Sequence, residues 1–159
     1  MNSPKVSIII PHYRGHEILI KCIKSIREST FNDYEIIIVD NNSSDSSLDN
    51  FEPGINESIV RSLYNRGYAG GCNLGAKNAI GKYLIFLNND TEHTPDWIEP
   101  LIDTIESDST ISSVQPKLLS YYNRKKFDYA GGSGGLLDYL VYPFARGRIF
   151  STIEDDNGQ

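Results

Sequence analysis

The sequence predicts an α/β fold: a mostly parallel sheet with helices on both faces. Three observations carry this reading: strand-like runs that are apolar throughout, amphipathic helical periods between them, and polar or glycine-rich segments directly after the strands. The run that organises the rest is Tyr83-Leu84-Ile85-Phe86-Leu87, bounded by Gly81 and by Asn88-Asn89-Asp90. It is expected to be a central strand buried on both faces. In open α/β sheets ligands bind in the crevice outside the carboxyl ends of the strands. Asp90, released at such an end, is therefore the first candidate for chemistry.

In chain order, Val6 to Ile10 is a β-branched strand that Pro11, lacking a donor, should end. From Glu17 to Glu28, Ile18, Leu19, Cys22, Ile23 and Ile26 recur at helical spacing, opposite Lys21, Lys24 and Arg27. Asn32-Asp33 supplies a turn into a second strand, Glu35 to Val39, which ends on Asp40. Asn41 to Ser47 are capping and turn residues, and a short helix over about 45–52 is expected after them. Ile59 to Leu63 reads as a third strand delivering Asn65 to Gly75, whose glycines open a helix over about 70–80 stopped by Gly81. After the strand at 83–87, Thr94 and Pro95 should cap and open a helix carrying Trp97, Ile98, Leu101, Ile102 and Ile105. Ser112 to Leu119 reads as a last strand, held to an edge or bulge by Pro116. Beyond it the periodicity fades into loops and a short hairpin. The expected division is a core over 1–118 and a loop-rich extension over 119–159.

Composition narrows the function classes. The chain has 159 residues, enough for one domain with its own core. Its formal charge is −6. Residues 119–159 balance five basic against five acidic side chains, so the excess lies in 1–118. Such a surface repels phosphate polymers, and nucleic acid is not an expected partner. Cys22 and Cys72 fall inside predicted helices without metal-ligand spacing and read as reduced, buried thiols. With neither a signal-peptide pattern nor an apolar stretch of about 18 to 20 residues, a soluble, cytoplasmic chain is expected.

Asp40 and Asp90 should open into one crevice, because neighbouring parallel strands end on the same side. A lone strand-end Asp is more often a turn or cap residue; two on one rim beside a glycine-rich loop point to a site. Asn88-Asn89-Asp90 offers carboxylate and amide oxygens to a hard divalent cation, with a diphosphate completing the shell, while its bland reading is an Asx-turn. No Gly-x-Gly-x-x-Gly is present in 67–75 or 131–135, and no phosphate-binding Gly-x-x-x-x-Gly-Lys-Ser/Thr loop occurs. His12, His16 and His93 lack paired spacing and read as surface or loop residues. Arg124-Lys125-Lys126 reads as a solvated loop.

Val6 to Tyr13 (VSIIIPHY), the strand ending in Asp40 with Asn41 to Asp45, Asn65 to Gly75 (NRGYAGGCNLG) and Leu84 to Asp90 (LIFLNND) together resemble family 2 glycosyltransferases, most closely the bacterial rhamnosyltransferase-like members. The resemblance covers about 1–120. It implies a GT-A fold, a UDP- or dTDP-sugar donor, a saccharide or lipid-linked acceptor, inversion at the anomeric carbon and a divalent cation, Mg2+ or Mn2+. By the same resemblance Pro11, His12 and Tyr13 lie along the nucleoside and Asp40 hydrogen-bonds the base. Asn73 makes a polar contact to the nucleotide, which Asn88 and Asn89 border, and Asp90 is the metal ligand. Asn88 stands where many members carry a first Asp. The general base of the family lies well beyond the metal motif, and complete members run well past 200 residues. The expectation is therefore a donor-binding portion with its base beyond Gln159; Glu154, Asp155 and Asp156 are not assigned that role. A peripheral place at the inner face of the membrane and self-association into a homo-oligomer through exposed apolar surface accompany that reading.

Two other classes compete. One is a non-catalytic sugar-nucleotide-binding or interaction module that retains the fold. The other is a nucleotidyltransferase, which would want a glycine-rich basic loop after the first strand, where Pro11 to Gly15 supplies only Arg14 and Gly15.

Overall fold

Two β-branched runs dominate the computed structural model, which describes residues 3–128, 135–137, 139–140, 143–145, 148–149, 152–153 and 155–156. Val6–His12 form β1 and Tyr34–Asp40 form β2, paired in parallel from Val6↔Tyr34 to His12↔Asp40. Between them His16–Arg27 form α1. Glu57–Arg61 form β3, Gly67–Ala76 form α2, Tyr83–Phe86 form β4 and Glu99–Ser107 form α3. The sheet is parallel throughout, in the order β3-β2-β1-β4. Gly135–Leu137 (β5) pairs antiparallel with Pro143–Ala145 (β6), and Arg148–Ile149 (β7) with Thr152–Ile153 (β8). The chain divides into two compact units, Met1–Asp96 and Trp97–Gln159, and the parallel sheet belongs wholly to the first.

Alternation along the strands assigns the faces of the sheet. Ile9, Ile37 and Val39 form one buried cluster with Leu74 and Ala76 of α2. Glycine lets that helix sit close: a Cβ on Gly75 would lie 2.3 Å from Ile9 Cγ2 and 3.0 Å from Val39 Cγ2. The opposite face carries Ile8, Ile10, Ile36 and Ile38, all fully buried. Tyr34 shares that face and its hydroxyl donates to the Ile26 carbonyl, which identifies α1 as the covering helix. Leu19, Cys22, Ile23 and Ile26 of α1 are buried accordingly.

Several expectations are corrected. β1 continues through Pro11 to His12. Ile9 O accepts from Leu87 on the β4 side and His12 O accepts from Asn41 on the β2 side. Alternation therefore turns Pro11's missing donor toward β4, whose ladder has already ended at Ile9↔Phe86. Among the described residues β4 is an edge strand, not a central one buried on both faces. Leu84 and Phe86 remain 42% and 48% exposed, because apolar composition does not determine whether a further strand or helix covers a strand.

No helix forms over 45–52. Ser46 adopts φ +55° and the Asp45 carboxylate takes the Ser47 N–H, leaving a turn over 47–50. α2 starts at Gly67 and yields to tight turns after Ala76. Gly81 is fixed less as a helix stop than by its place against β1, where a Cβ would lie 2.6 Å from the Ser7 nitrogen. α3 opens at Glu99, with Pro100 rather than Pro95 in its first turn. The Pro95 carbonyl instead accepts from the Thr30 N–H and the Ser29 and Thr30 hydroxyls. Ser112 to Leu119 forms no ladder; Leu119 alone bridges to Phe127. Gly131 to Gly134 and Glu154 lie outside the described residues.

Candidate functional site

The carboxyl ends of β1, β2 and β4 border a cleft of about 280 Å³ within the first unit. Pro11, His12 and Tyr13 line it from the end of β1, Asn41 from the end of β2, Asn65, Gly67 and Tyr68 from the start of α2, and Asn89 from the segment after β4.

Its walls are built by hydrogen bonds. Asn41 is buried, and its carboxamide donates to Asn65 Oδ1 (3.1 Å) and the Gly67 carbonyl (3.0 Å) while accepting from the Arg66 N–H (2.8 Å). One side chain thus holds the whole turn into α2. Gly67 sits at φ +67°, a conformation that L side chains rarely adopt. Gly71 brings α2 against Pro11, where a Cβ would lie 3.0 Å from the ring.

His12 is fully buried, which corrects its reading as a surface residue. Asn89 Nδ2 donates to its Nδ1 at 2.9 Å, so Nε2 carries the proton and donates to Ser47 Oγ at 2.7 Å. Burial holds the imidazole below its ordinary pKa, against the pull of Asp45 and Asp40. His93 is also mostly buried, beside Ser25, and burial pushes it down to about 4. Neither histidine could be placed from sequence, since His12 follows the proline expected to end β1 and His93 lies in a segment without periodicity. His16 opens α1 with its Nδ1 2.6 Å from the Ser47 carbonyl.

Asp40 is 6% exposed. Its Oδ2 accepts from Arg61 Nη1 at 2.7 Å and its Oδ1 from the Ser43 N–H at 2.8 Å. It is not among the cleft-lining residues, although its neighbour Asn41 is. Asp90 is exposed, close enough to Tyr68 to help burial push that phenol up to about 12. The segment carrying Asp90 is tied to α1 through Cys22 Sγ, 3.7 Å from the Asn88 carbonyl and 3.8 Å from Thr91 Oγ1. Burial raises that thiol to about 11, and Cys72 is likewise buried and free. The Asn88 side chain is exposed, and Asn73 lies on the exposed side of α2, outside the cleft lining.

A cation fits this arrangement only in company. Among the described residues no three His, Cys, Asp or Glu side chains gather to hold a metal ion. Asp90 with the neighbouring amides would offer the one or two protein oxygens that suffice for Mg2+ or Mn2+ when phosphates and water complete the shell. The sequence marks Asn65 to Gly75 as one segment without singling out Asn65, Gly67 or Tyr68, and marks Asn41 only as a capping and turn residue. The Asn-Arg-Gly-Tyr run directly after a strand was the signal available.

The model of the family described as "Glycosyl transferase family 2" matches residues 7–150. The chain belongs to glycosyltransferase family 2. As a member of that family it is 36% identical over 94 residues to the GalNAc(5)-diNAcBac-PP-undecaprenol beta-1,3-glucosyltransferase of Campylobacter jejuni, covering 56% of this chain and 30% of that protein. Among solved structures, the mannosyltransferase PcManGT from Pyrobaculum calidifontis, in complex with GDP-Man and Mn2+, aligns with a TM-score of 0.63 at 20% identity, over 69% of this chain and 34% of that one. S. aureus TarS 1-349 in complex with UDP aligns with a TM-score of 0.58 at 19% identity, over 73% and 40%. These two likenesses bear on the fold, which is GT-A. The glycosyltransferase chain spans 19% to 36% of the first curated relatives that it matches. Among its described residues no helix is long and apolar enough to cross a membrane.

Proposed function

We propose that the chain is the donor-binding portion of an inverting glycosyltransferase that transfers a sugar from a UDP- or dTDP-sugar to a saccharide or lipid-linked acceptor. The observation that carries this reading is the cleft at the carboxyl ends of β1, β2 and β4, polar on the Asn41, Asn65 and Asn89 sides and bordered by tyrosine rings. Family membership supports sugar transfer, UDP in the TarS complex supports the donor class, and the Campylobacter relative supports an acceptor built on a lipid diphosphate.

Within this reading Pro11, His12 and Tyr13 form the nucleoside wall. Asp40 addresses the base through its remaining lone pairs, Asn73 makes a polar contact to the nucleotide, and Asn88 and Asn89 border the diphosphate. Asp90 holds the divalent cation together with that diphosphate, as the Mn2+ of the mannosyltransferase complex supports. Bound there, the cation would supply charge stabilisation for the departing diphosphate. Inversion needs a base on the face opposite the leaving group, and the residues lining the cleft include no carboxylate. In this reading the base is supplied from outside the core over 1–118. The same observation favours a second reading, in which the chain binds sugar nucleotides without turning them over.

Calorimetric titration with UDP and dTDP, with and without Mn2+, tests the donor site, and radiolabelled transfer to saccharide and undecaprenyl-diphosphate acceptors tests turnover. Metal-assisted binding with transfer supports the first reading. Binding without transfer supports the second. No binding by the folded chain defeats both.

A further inference from the structure

His12 meets the cleft with no nitrogen left to offer a ligand. It is completely buried, Nδ1 accepts from Asn89 and Nε2–H donates to Ser47. The two bonds join three segments distant in sequence: the end of β1, the turn after β2 and the polar segment after β4. Of the two partners of His12, only Asn89 lines the cleft with it. The described hydrogen bonds engage one N–H of the Asn89 carboxamide, which leaves its oxygen and second N–H for another group.

We infer that His12 is a positioning residue for the nucleoside diphosphate: its Nδ1 fixes the orientation of the Asn89 carboxamide, and Asn89 makes the contact. The imidazole suits this task because its neutral form is acceptor and donor at opposite corners of a rigid ring. Accepting at Nδ1 compels Asn89 to turn its nitrogen inward and keep its oxygen for the cleft. A buried His that merely filled space would not need that polarity. The inference rests on the donor-site reading above and adds the residue that sets one of its contacts.

Two conservative substitutions separate the arms of the ring. The carboxamide of His12→Asn reaches the place of Nδ1, whereas that of His12→Gln reaches the place of Nε2. Affinity for UDP with Mn2+ is measured by calorimetry on the whole chain, alongside each variant's thermal midpoint. His12→Ala is expected to weaken UDP by about tenfold, the weight of one well-placed hydrogen bond. His12→Asn should recover most of that loss and His12→Gln should not. Ser47→Ala should lower the midpoint and leave UDP affinity unchanged. Equal affinities in the Asn and Gln variants, or a loss in Ser47→Ala matching that of His12→Ala, would mean that the ring acts only as packing and would overturn the inference. An independent reading needs no variant: two-bond nitrogen–proton correlation spectra of the wild type should show Nε2–H, and an Nδ1–H tautomer overturns the arrangement. Failure of the wild type to bind UDP or dTDP overturns the donor reading along with this one, whereas binding that ignores the Asn/Gln difference overturns this one alone.

Discussion

Asp40 and Asp90 carry the same signature in sequence, an acid just after an apolar run, yet the fold places them in opposite circumstances. Asp40 ends a strand paired on both sides, opposite His12 and Arg61, and its two oxygens are engaged by a guanidinium and a backbone N–H. Asp90 lies beyond the end of an edge strand, exposed, and no hydrogen bond to its carboxylate appears among the described residues. What is fixed at Asp90 is the backbone around it, held by Cys22, by the Ser25–His93 pair and by the bonds from Ser29 and Thr30 to Pro95. A desolvated carboxylate with a cation beside it organises the loop it sits in. A solvated one on an anchored segment keeps its lone pairs for a cation brought by substrate.

The largest expected effect lies on the exposed acid. Asp90→Ala should reduce Mn2+-dependent nucleotide binding by about a hundredfold or more, since it removes the one carboxylate that the proposed donor site gives the cation. Its unfolding free energy should stay within about 0.5 kcal/mol of wild type, as for an exposed residue without structural bonds. Calorimetry and urea unfolding read the two quantities separately, and a large fall in stability with unchanged binding would reverse the contrast between the acids. The anchoring of that segment should show in pH dependence. His93 has a folded-state pKa of about 4 against an ordinary 6.5. The unfolded chain therefore binds the proton first, and stability present above about pH 6.5 is lost as the pH falls toward 4. The loss is on the order of 3 kcal/mol. Urea unfolding across that range checks it, and His93→Gln should flatten this part of the profile.

The centre of the sheet was legible in the sequence because its rule is simple. Ile8, Ile9, Ile10 and Ile36 to Val39 are β-branched, uniformly apolar and buried on both sides, and Leu19, Cys22, Ile23 and Ile26 follow the helical period that covers them. The same rule failed for Leu84 and Phe86, since burial of an edge strand depends on what lies beside it and not on its own residues. Of the candidate site, strand order places the ends that carry Asp40 and Asp90 on one rim, whereas Pro11 to Tyr13 follow only from the family resemblance. The roles of Asn41 and His12 were not legible, because each depends on partners 24 to 77 residues away. The turn over 47–50 reads as a helix in sequence for a similar reason: the Asp45 carboxylate, a residue suited to capping, also accepts from the Gly15 N–H 30 residues away.

The buried acid should respond in stability, and by less than its burial alone suggests. Asp40→Ala removes an acceptor from the Ser43 N–H and from Arg61, which should lower the unfolding free energy by about 1 to 3 kcal/mol. Removing the other partner is milder. The Arg61 side chain is 54% exposed and that of Asp40 is 9% exposed. In Arg61→Ala the carboxylate keeps its backbone donor and gains water through the space the guanidinium leaves, so the cost should stay under about 1 kcal/mol and shrink further in salt. Urea unfolding at low and high ionic strength measures both variants and the double mutant. A coupling energy well above 1 kcal/mol that persists in salt would make Arg61 and Asp40 a structural unit, whose carboxylate is then poorly placed to address a base. A small, screened coupling leaves Asp40 able to exchange its cation for a ring N–H. Nucleotide affinity in Arg61→Ala decides between them: unchanged or tighter binding means that Asp40 turns to the ligand once released, and weakened binding means that the ion pair must hold the carboxylate for the base to be read.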